Sequence, residues 1–200
     1  LFDPAITRWA ILASFRKLNP LHLLRNPVMF VVWVGSLLTS VLAVLAAVLL
    51  GPWAGTLVMA CVIAVEALVF SDGGLVVMGA NIFNMGVVGT LGGFALYMLL
   101  CRLLGGEDRA RIPASAVAGW ASVVAAAAFM SLELIVSGTS PAELVLPAML
   151  GVHAVIGIGE ALITGAALAF IAATRKDLLD LRPDRAAALA RRTSGTGTAG

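Results

Sequence analysis

Charged residues are scarce in this chain of 200 residues. Asp, Glu, Lys and Arg together make up 12% of the sequence, whereas 60% is hydrophobic. Soluble domains carry about a quarter charged residues, so this composition excludes an ordinary soluble domain. The mean hydropathy of +1.03 instead predicts long apolar segments that cross a bilayer.

Histidine and cysteine are also rare, with two residues of each. Cys61 and Cys101 lie in apolar runs and match no disulfide or zinc spacing, so we interpret them as small packing residues. A transition-metal site needs nitrogen ligands that converge on one point, and two histidines, His22 and His153, provide few such ligands. Ser, His and Asp are too scattered to pair a nucleophile with a base. We therefore predict no catalytic residue, no bound cofactor and no enzymatic activity.

The basic residues that are present fall in three regions. Four precede Pro27, three lie from Arg102 to Arg111, and six lie from Arg175 to Arg192. The stretches between them lack Lys and Arg, as a bilayer requires of its spanning segments. The net charge of +2 therefore indicates ends and loops at lipid headgroups. We expect a lipid bilayer, and no nucleic acid, as partner.

Five apolar runs lie between these regions, and a bilayer-spanning helix needs about 20 apolar residues. They are residues 28–50, 53–70, 75–104, 114–137 and 144–174. Gly51-Pro52, a 71–74 turn, a charged loop over 105–113 and a 138–141 turn separate them. We predict an all-α fold, an integral membrane helical bundle of four to five spans. A surface helix precedes the first span, and residues 180–200 form a disordered polar tail.

Some polar side chains lie inside the apolar runs, where a charge costs at least about 2.5 kcal/mol. Such residues face the bundle interior and usually mark a site or a path. His153 and Glu160 are seven residues apart and share one helix face, an arrangement suited to holding a cation or relaying a proton. The other members of the set are Glu66, Glu133, Asn81 and Asn84.

Each of these residues also has a structural interpretation. Glu66 and Glu133 are near enough to helix ends to reach the headgroups. Asn81 and Asn84 are suited to capping a broken helix. His153 and Glu160 are suited to satisfying neighbouring polar groups.

Four runs carry a resemblance to a known family: "AAVLLGPWAG", "DGGLVVMGANIFNMGVVG", "LELIVSGT" and "LPAMLGVHAVIGIGEALITGAALAF". Over about residues 45–179 the chain resembles the substrate-binding membrane subunit of energy-coupling-factor (ECF) cobalt and nickel importers, the CbiM type. The resemblance implies a multi-pass protein of the cytoplasmic (inner) membrane that captures Co²⁺ or Ni²⁺ outside. It also implies two kinds of partner, a transmembrane coupling subunit and ATP-binding subunits.

The family's own metal ligands are missing from this sequence. The family begins with Met-His-Ile-Pro-Asp-Gly and has a Ser-Gly-His segment just before the "LLGPW" run, where this chain has Thr39-Ser40-Val41-Leu42. The resemblance therefore implies impaired metal capture. No metal ligand is assigned, His153 is the one candidate, and Asn81, Asn84 and Glu160 are expected to support the site.

Residues 1–42 resemble a different protein. "RNPVMFVV" followed by "GSLLTS" is similar to the start of the catalytic subunit of a potassium-transporting P-type ATPase. We therefore divide the chain into an ATPase-like segment (1–44), an importer-like bundle (45–179) and the tail (180–200). This division implies two alternatives to the importer: a transport-incompetent truncated fusion, and a membrane fragment that associates with the potassium ATPase complex. Since the chain starts at Leu1 rather than Met, we expect a processed product or an incomplete reading frame.

The two resemblances disagree about orientation. The positive-inside rule and a cytoplasmic carboxyl terminus place the 102–111 loop inside, which makes the first span begin outside. The four basic residues before Pro27 would then be exported. The ATPase-like start instead requires them in the cytoplasm.

Overall fold

The computed structural model describes residues 43–71, 73–180 and 182, and within these residues it contains helices and no strand. The order is α1 (helical over 43–50), α2 (Pro52–Val69), α3 (Gly74–Leu103), α4 (Glu107–Val136) and α5 (Ala142–Thr174). A 3₁₀ turn, Lys176–Asp180, follows. Four helices, α2 to α5, are long and apolar enough to cross a membrane. The all-α, multi-pass membrane bundle is thereby confirmed, while the predicted surface helix and most of the first span and tail lie outside the described residues.

The predicted charged loop over 105–113 is wrong in extent, because α4 already begins at Glu107. Gly105 and Gly106 make the break, with φ of +91° and +108°, a region in which side chains other than glycine are strained. Glu107 and Asp108 then occupy the first turn of α4, where the helix dipole favours negative charge. Pro113 is accommodated inside the helix.

Small residues let the helices approach closely, as membrane bundles require. A Cβ atom at Gly157 of α5 would lie 2.9 Å from Trp120 Cδ1 of α4. A Cβ at Gly93 of α3 would lie 2.7 Å from Val44 Cγ2, and one at Gly55 of α2 would lie 2.8 Å from the backbone of α1. The glycine-rich character of the spans therefore marks helix–helix contacts.

The α3–α4 loop and the carboxyl end of α5 lie at the same end of the bundle, which we call the basic end. Glu107 connects these parts: its Oε1 accepts a hydrogen bond from Tyr97 (2.7 Å), and its Oε2 pairs with Arg182 at 2.8 Å. Arg182 is 1% exposed and stacks over the Phe94 ring, 5.3 Å from its centroid. A buried ion pair thus ties the chain after α5 to the start of α4.

The turns after α2 and α4 lie at the opposite end of the bundle, which we call the far end. Helix α1 runs from the far end toward the basic end, because a Cβ at Gly51 would lie 3.7 Å from Arg182 Cγ. Ala43, at the other end of α1, lines a cavity that lies toward the far end. Helix α1 therefore enters the described structure from the side opposite to the basic loops, the direction that creates the conflict of orientation noted above.

Candidate functional site

A cavity of about 300 Å³ lies among the helices, with all five of them contributing lining residues. Its polar lining consists of Asn81 and Asn84 from α3, Ser122 from α4 and His153 from α5. Met59 from α2, Met85 from α3 and Met130 from α4 also line it, and small or aliphatic side chains complete the wall. Met59 belongs to a buried hydrophobic cluster with Ala43 and Ile63, against which Met85 packs. Three of the four residues that the sequence analysis assigned to the site, Asn81, Asn84 and His153, therefore line one cavity.

His153 is half-buried, and its hydrogen bonding determines which ring nitrogen is available. Nδ1 lies 2.8 Å from the carbonyl oxygen of Met149, one turn earlier in α5. A carbonyl oxygen only accepts hydrogen bonds, so Nδ1 carries the proton and donates it. In the neutral ring Nε2 then keeps its lone pair, and this pattern, with the other nitrogen bonded to a backbone carbonyl, is common in metal-binding histidines.

Asn84 is 4% exposed and ties α3 to α4. Its Nδ2 donates to Glu133 Oε2 over 2.9 Å, while its Oδ1 is buried and has no hydrogen-bond partner among the described residues. Glu133, half-buried and three residues before the end of α4, is therefore tied to α3 by this hydrogen bond. That it reaches the headgroups stays a prediction. The carboxylate places a negative charge directly behind the cavity wall.

Asn81 does not cap a broken helix, because α3 continues through it. Residues Ile82–Gly92 form a π-helical segment inside α3, and Thr90 Oγ1 donates to the carbonyl of Met85, five residues earlier, over 3.1 Å. Asn81 lies at the start of this segment with its amide close to Gly73, where a Cβ would lie 2.9 Å from Nδ2. Wide π turns are frequent at functional sites, and this one forms the α3 wall of the cavity.

Glu160 stands apart from the cavity, although it shares a helix face with His153. Two turns separate them, about 10 Å along the axis. Glu160 is 3% exposed and packs against Gly119; Thr164 donates to its Oε1 over 3.1 Å, and its Oε2 has no hydrogen-bond partner in the described part of the chain. The structure thus does not bring His153 and Glu160 into one cation site. Glu66, half-buried near the end of α2, does not line the cavity either.

Within residues 43–71, 73–180 and 182, no group of three or more His, Cys, Asp or Glu side chains is arranged to hold a metal ion. Among the described residues, the polar side chains that line the cavity are one imidazole, two amides and one hydroxyl: those of His153, Asn81, Asn84 and Ser122. The methionines are the feature that sequence reasoning missed, because only nitrogen ligands were considered. Met59, Met85 and Met130 are far apart in the sequence, and only the packing of three helices brings them to one cavity.

The family model, the curated relatives and the solved structure that match most of this chain all describe transition-metal transport proteins. The model of the family described as CbiM, cobalt uptake substrate-specific transmembrane region, matches residues 26–178. A putative fused nickel transport protein, NikMN, from Archaeoglobus fulgidus is 37% identical over 138 residues, which cover 68% of this chain and 45% of that protein. The chain spans about half the length of the curated relatives it matches. A crystal structure of a truncated transition metal transporter is 31% identical with a TM-score of 0.58, covering 64% of this chain and 65% of that one.

A second, shorter similarity is to a different class of transporter. The potassium-transporting ATPase ATP-binding subunit of Dechloromonas aromatica is 61% identical over 46 residues, which make up 23% of this chain and 7% of that subunit. The cobalt-uptake model begins at residue 26, inside the segment 1–44 that we had separated from the bundle. The boundary between the two parts stays a prediction.

Proposed function

The chain belongs to the CbiM family of cobalt-uptake transmembrane regions, and on that premise we propose that it is the substrate-binding membrane subunit of an ECF cobalt or nickel importer. In this role it binds the ion and carries out no chemical reaction. The observation that supports the proposal most is the cavity lined by His153, whose Nδ1 is engaged by the Met149 carbonyl so that Nε2 is the nitrogen left to bind an ion.

The position of the cavity agrees with capture from outside. Arg102, Arg109 and Arg111, which flank the α3–α4 loop, and Arg175, Lys176 and Arg182, which follow α5, lie at the basic end. The positive-inside rule assigns this end to the cytoplasm. Met130 is 23 residues from Glu107 along α4, which corresponds to about 34 Å of helix. Ser122, which also lines the cavity, lies near the middle of α4. The cavity therefore extends from the middle of the bundle toward the external side of the inner (cytoplasmic) membrane, from which an incoming ion meets the protein.

Impaired binding is part of the proposal. The sequence carries Thr39-Ser40-Val41-Leu42 where the resemblance leads us to expect a histidine, and no other histidine lies between His22 and His153. One imidazole gives a Co²⁺ or Ni²⁺ ion fewer nitrogen ligands than it prefers. Asn81 and Asn84 act as supporting residues on the cavity wall, and Glu160 stabilises the α4–α5 contact behind it.

Partners follow from the same proposal. A coupling subunit and ATP-binding subunits would supply the energy for transport, and they would contact the chain from the cytoplasmic side. Trp53, 78% exposed, and Leu103, 72% exposed, present apolar surface at the basic end. Detergent-solubilised protein co-expressed with such subunits is expected to purify as a complex.

The deciding experiment measures Co²⁺ and Ni²⁺ binding to the purified protein in detergent. We expect binding that is lost in His153→Ala and kept in His22→Ala, the matched control for a second histidine. Equal binding by both variants and the parent would place the ion elsewhere and overturn the assignment of His153. No binding by any of them, beside a full-length relative that binds, would favour a transport-incompetent truncated fusion.

A second candidate function rests on the similarity to the potassium-transporting ATPase. In this alternative the chain associates with that pump through the segment 1–42. The full chain should then co-purify with the potassium ATPase complex, and replacing residues 1–42 with an unrelated span should abolish the association. If the two proteins purify separately from membranes that contain both, this alternative is excluded.

A further inference from the structure

A groove of about 470 Å³ lies at the basic end and, among the described residues, shares no lining residue with the cavity around His153. The break after α1, the first turn of α2 and the last turns of α3 form its wall. Its described lining residues are apolar, and they include Leu50, Trp53, Ala54, Phe94 and Met98. Ligand sites typically measure about 300–1,000 Å³, so this groove is large enough to hold part of a hydrocarbon chain.

A buried arginine supports the groove from behind. Arg182 is 1% exposed; its Nη1 lies 3.7 Å from the sulfur of Met98, and its guanidinium carbon lies 5.3 Å from the centroid of the Phe94 ring. The ion pair with Glu107 balances its charge, and a Cβ atom at Gly51 would lie 3.7 Å from its Cγ. Because these contacts fix the wall, an occupant finds it already formed, and binding requires little ordering of the protein.

An arginine lies at the outer end of this wall. Phe94, Met98 and Arg102 follow one another at intervals of four residues, and each interval turns the helix by about 40° beyond a full turn. The stripe therefore turns gradually outward from the bundle, from half-buried Phe94 to exposed Arg102. Trp53, 78% exposed, forms part of the α2 side of the wall, and tryptophan is enriched at the level of the headgroups. From Phe94 to Arg102 is about 12 Å along α3, so the groove extends from the headgroups that distance into the hydrocarbon layer.

The charge at this end favours an anion. Over 102–111 and the described part of 175–182 there are six Lys or Arg residues and four Asp or Glu residues. The amino end of α2, where the helix dipole favours negative charge, lies in the wall of the groove, and its first turn holds no acidic residue. Basic pockets between transmembrane helices on the cytoplasmic side bind anionic lipid headgroups. An apolar groove with this rim therefore suits a phospholipid with a net negative headgroup better than a zwitterionic one.

We propose that the groove binds one anionic phospholipid of the cytoplasmic leaflet, with an acyl chain along Phe94 and Met98 and the headgroup phosphate at Arg102 and the indole N–H of Trp53. The proposal takes from the proposed function only the assignment of the basic end to the cytoplasm, and it holds whichever ion the chain carries. A coupling subunit at the same end is the competing occupant. The groove reaches about 12 Å below Arg102, a depth at which lipid chains surround the protein, and this depth favours the lipid.

The test measures lipid binding to the full chain in detergent by native mass spectrometry. The probes are dioleoyl-phosphatidylglycerol, which is anionic, and dioleoyl-phosphatidylcholine, which has the same chains and a zwitterionic headgroup. We expect one phosphatidylglycerol per chain, bound about fivefold more tightly than phosphatidylcholine, which corresponds to about 1 kcal/mol for one interfacial charge. Arg102→Gln should remove this preference, and Ala54→Phe, which fills the groove from α2, should abolish saturable binding of both lipids.

Each variant has a matched control. Arg109→Gln removes another exposed arginine of the basic end, on α4 outside the groove, and Ala169→Phe adds a ring at an exposed position near the same end of α5. Both controls should bind the two lipids as the parent does. All four changed side chains are exposed, so we expect the variants to fold.

Retained preference in Arg102→Gln or unchanged binding in Ala54→Phe would overturn the proposal, as would an equal loss of preference in Arg109→Gln. Release of the lipid when a coupling subunit co-purifies would assign the groove to that subunit and would also overturn it. The Co²⁺ and Ni²⁺ measurements are independent, because Arg102 and Ala54 do not line the ion cavity. Failure of lipid binding with ion binding intact therefore refutes only this proposal, and lipid binding without ion binding refutes only the proposed function.

Discussion

Removing Arg182 should destabilise the bundle strongly, because its guanidinium is buried against a carboxylate. Arg182 is 1% exposed, and its partner Glu107 has a side chain that is 16% exposed. Truncating one member of a buried pair costs about 3–5 kcal/mol, since the other charge is left uncompensated. We take the lower end, about 3 kcal/mol, because Glu107 keeps its hydrogen bond from Tyr97 and some contact with solvent.

In a chain of this size, 1 kcal/mol corresponds to about 2–4 °C in Tm, so Arg182→Ala is expected to lower Tm by about 6–12 °C. The assay is thermal unfolding in detergent, followed by tryptophan fluorescence. Arg175→Ala is the matched control: Arg175 pairs with Asp177 at the same end, but both side chains are more than 60% exposed, so little change is expected. The double variant Arg182→Ala/Glu107→Gln should melt above Arg182→Ala, because Gln removes the carboxylate charge that has lost the Arg182 guanidinium. A Tm for Arg182→Ala close to that of Arg175→Ala would refute the reasoning.

Two other predictions concern packing and charge. Gly157→Ala should lower Tm, because the new Cβ would lie 2.9 Å from Trp120 Cδ1 and 3.1 Å from its carbonyl oxygen, and overpacking costs about 1–3 kcal/mol; Gly159→Ala, which meets no atom within 4 Å, should not. Equal melting of the two variants would contradict the close α4–α5 contact. Asp177 lies outside the spans, and hydrogen bonds from Arg175 hold the pKa of its carboxyl group below the ordinary value. Any stability that this pair contributes to the fold is therefore fully present above the ordinary carboxyl pKa, and it is lost as the pH falls through the lowered pKa of Asp177. Carboxyl NMR should show this pKa rising in Arg175→Gln; an unchanged value would exclude the pairing in solution.

Much of the fold was predictable from hydropathy. The predicted runs 53–70 and 75–104 agree with α2 and α3 to within one residue at each end. The start of α4 was placed seven residues too late, because charge and Pro113 suggested a loop. The left-handed Gly105-Gly106 pair is the actual break, and acidic residues follow it in the first helical turn.

The site was predictable only in part. A polar side chain in an apolar run is costly, and this rule found Asn84 and His153, both of which line the cavity. The same rule cannot say which polar residues meet: helical spacing placed Glu160 with His153, yet Glu160 packs against Gly119 instead. Methionine gives no signal at all in such a run, because its hydropathy matches that of its neighbours. That three methionines line the cavity is evident only when separate helices are packed together.

The π-helical segment of α3 also determines the direction in which side chains at one end of this helix point relative to those at the other end. From Asn84 to Tyr97 is 13 residues, and an unbroken α-helix at 3.6 residues per turn would point these side chains about 140° apart. Yet both bond to α4, Asn84 to Glu133 and Tyr97 to Glu107. The wider turns of a π-helix rotate the chain less per residue, so they reduce the angle between the directions of the Asn84 and Tyr97 side chains. Deleting one residue within Ile82–Gly92 would therefore rotate one half of α3 about the helix axis relative to the other half. The Asn84–Glu133 and Tyr97–Glu107 hydrogen bonds could then no longer both form from one straight helix.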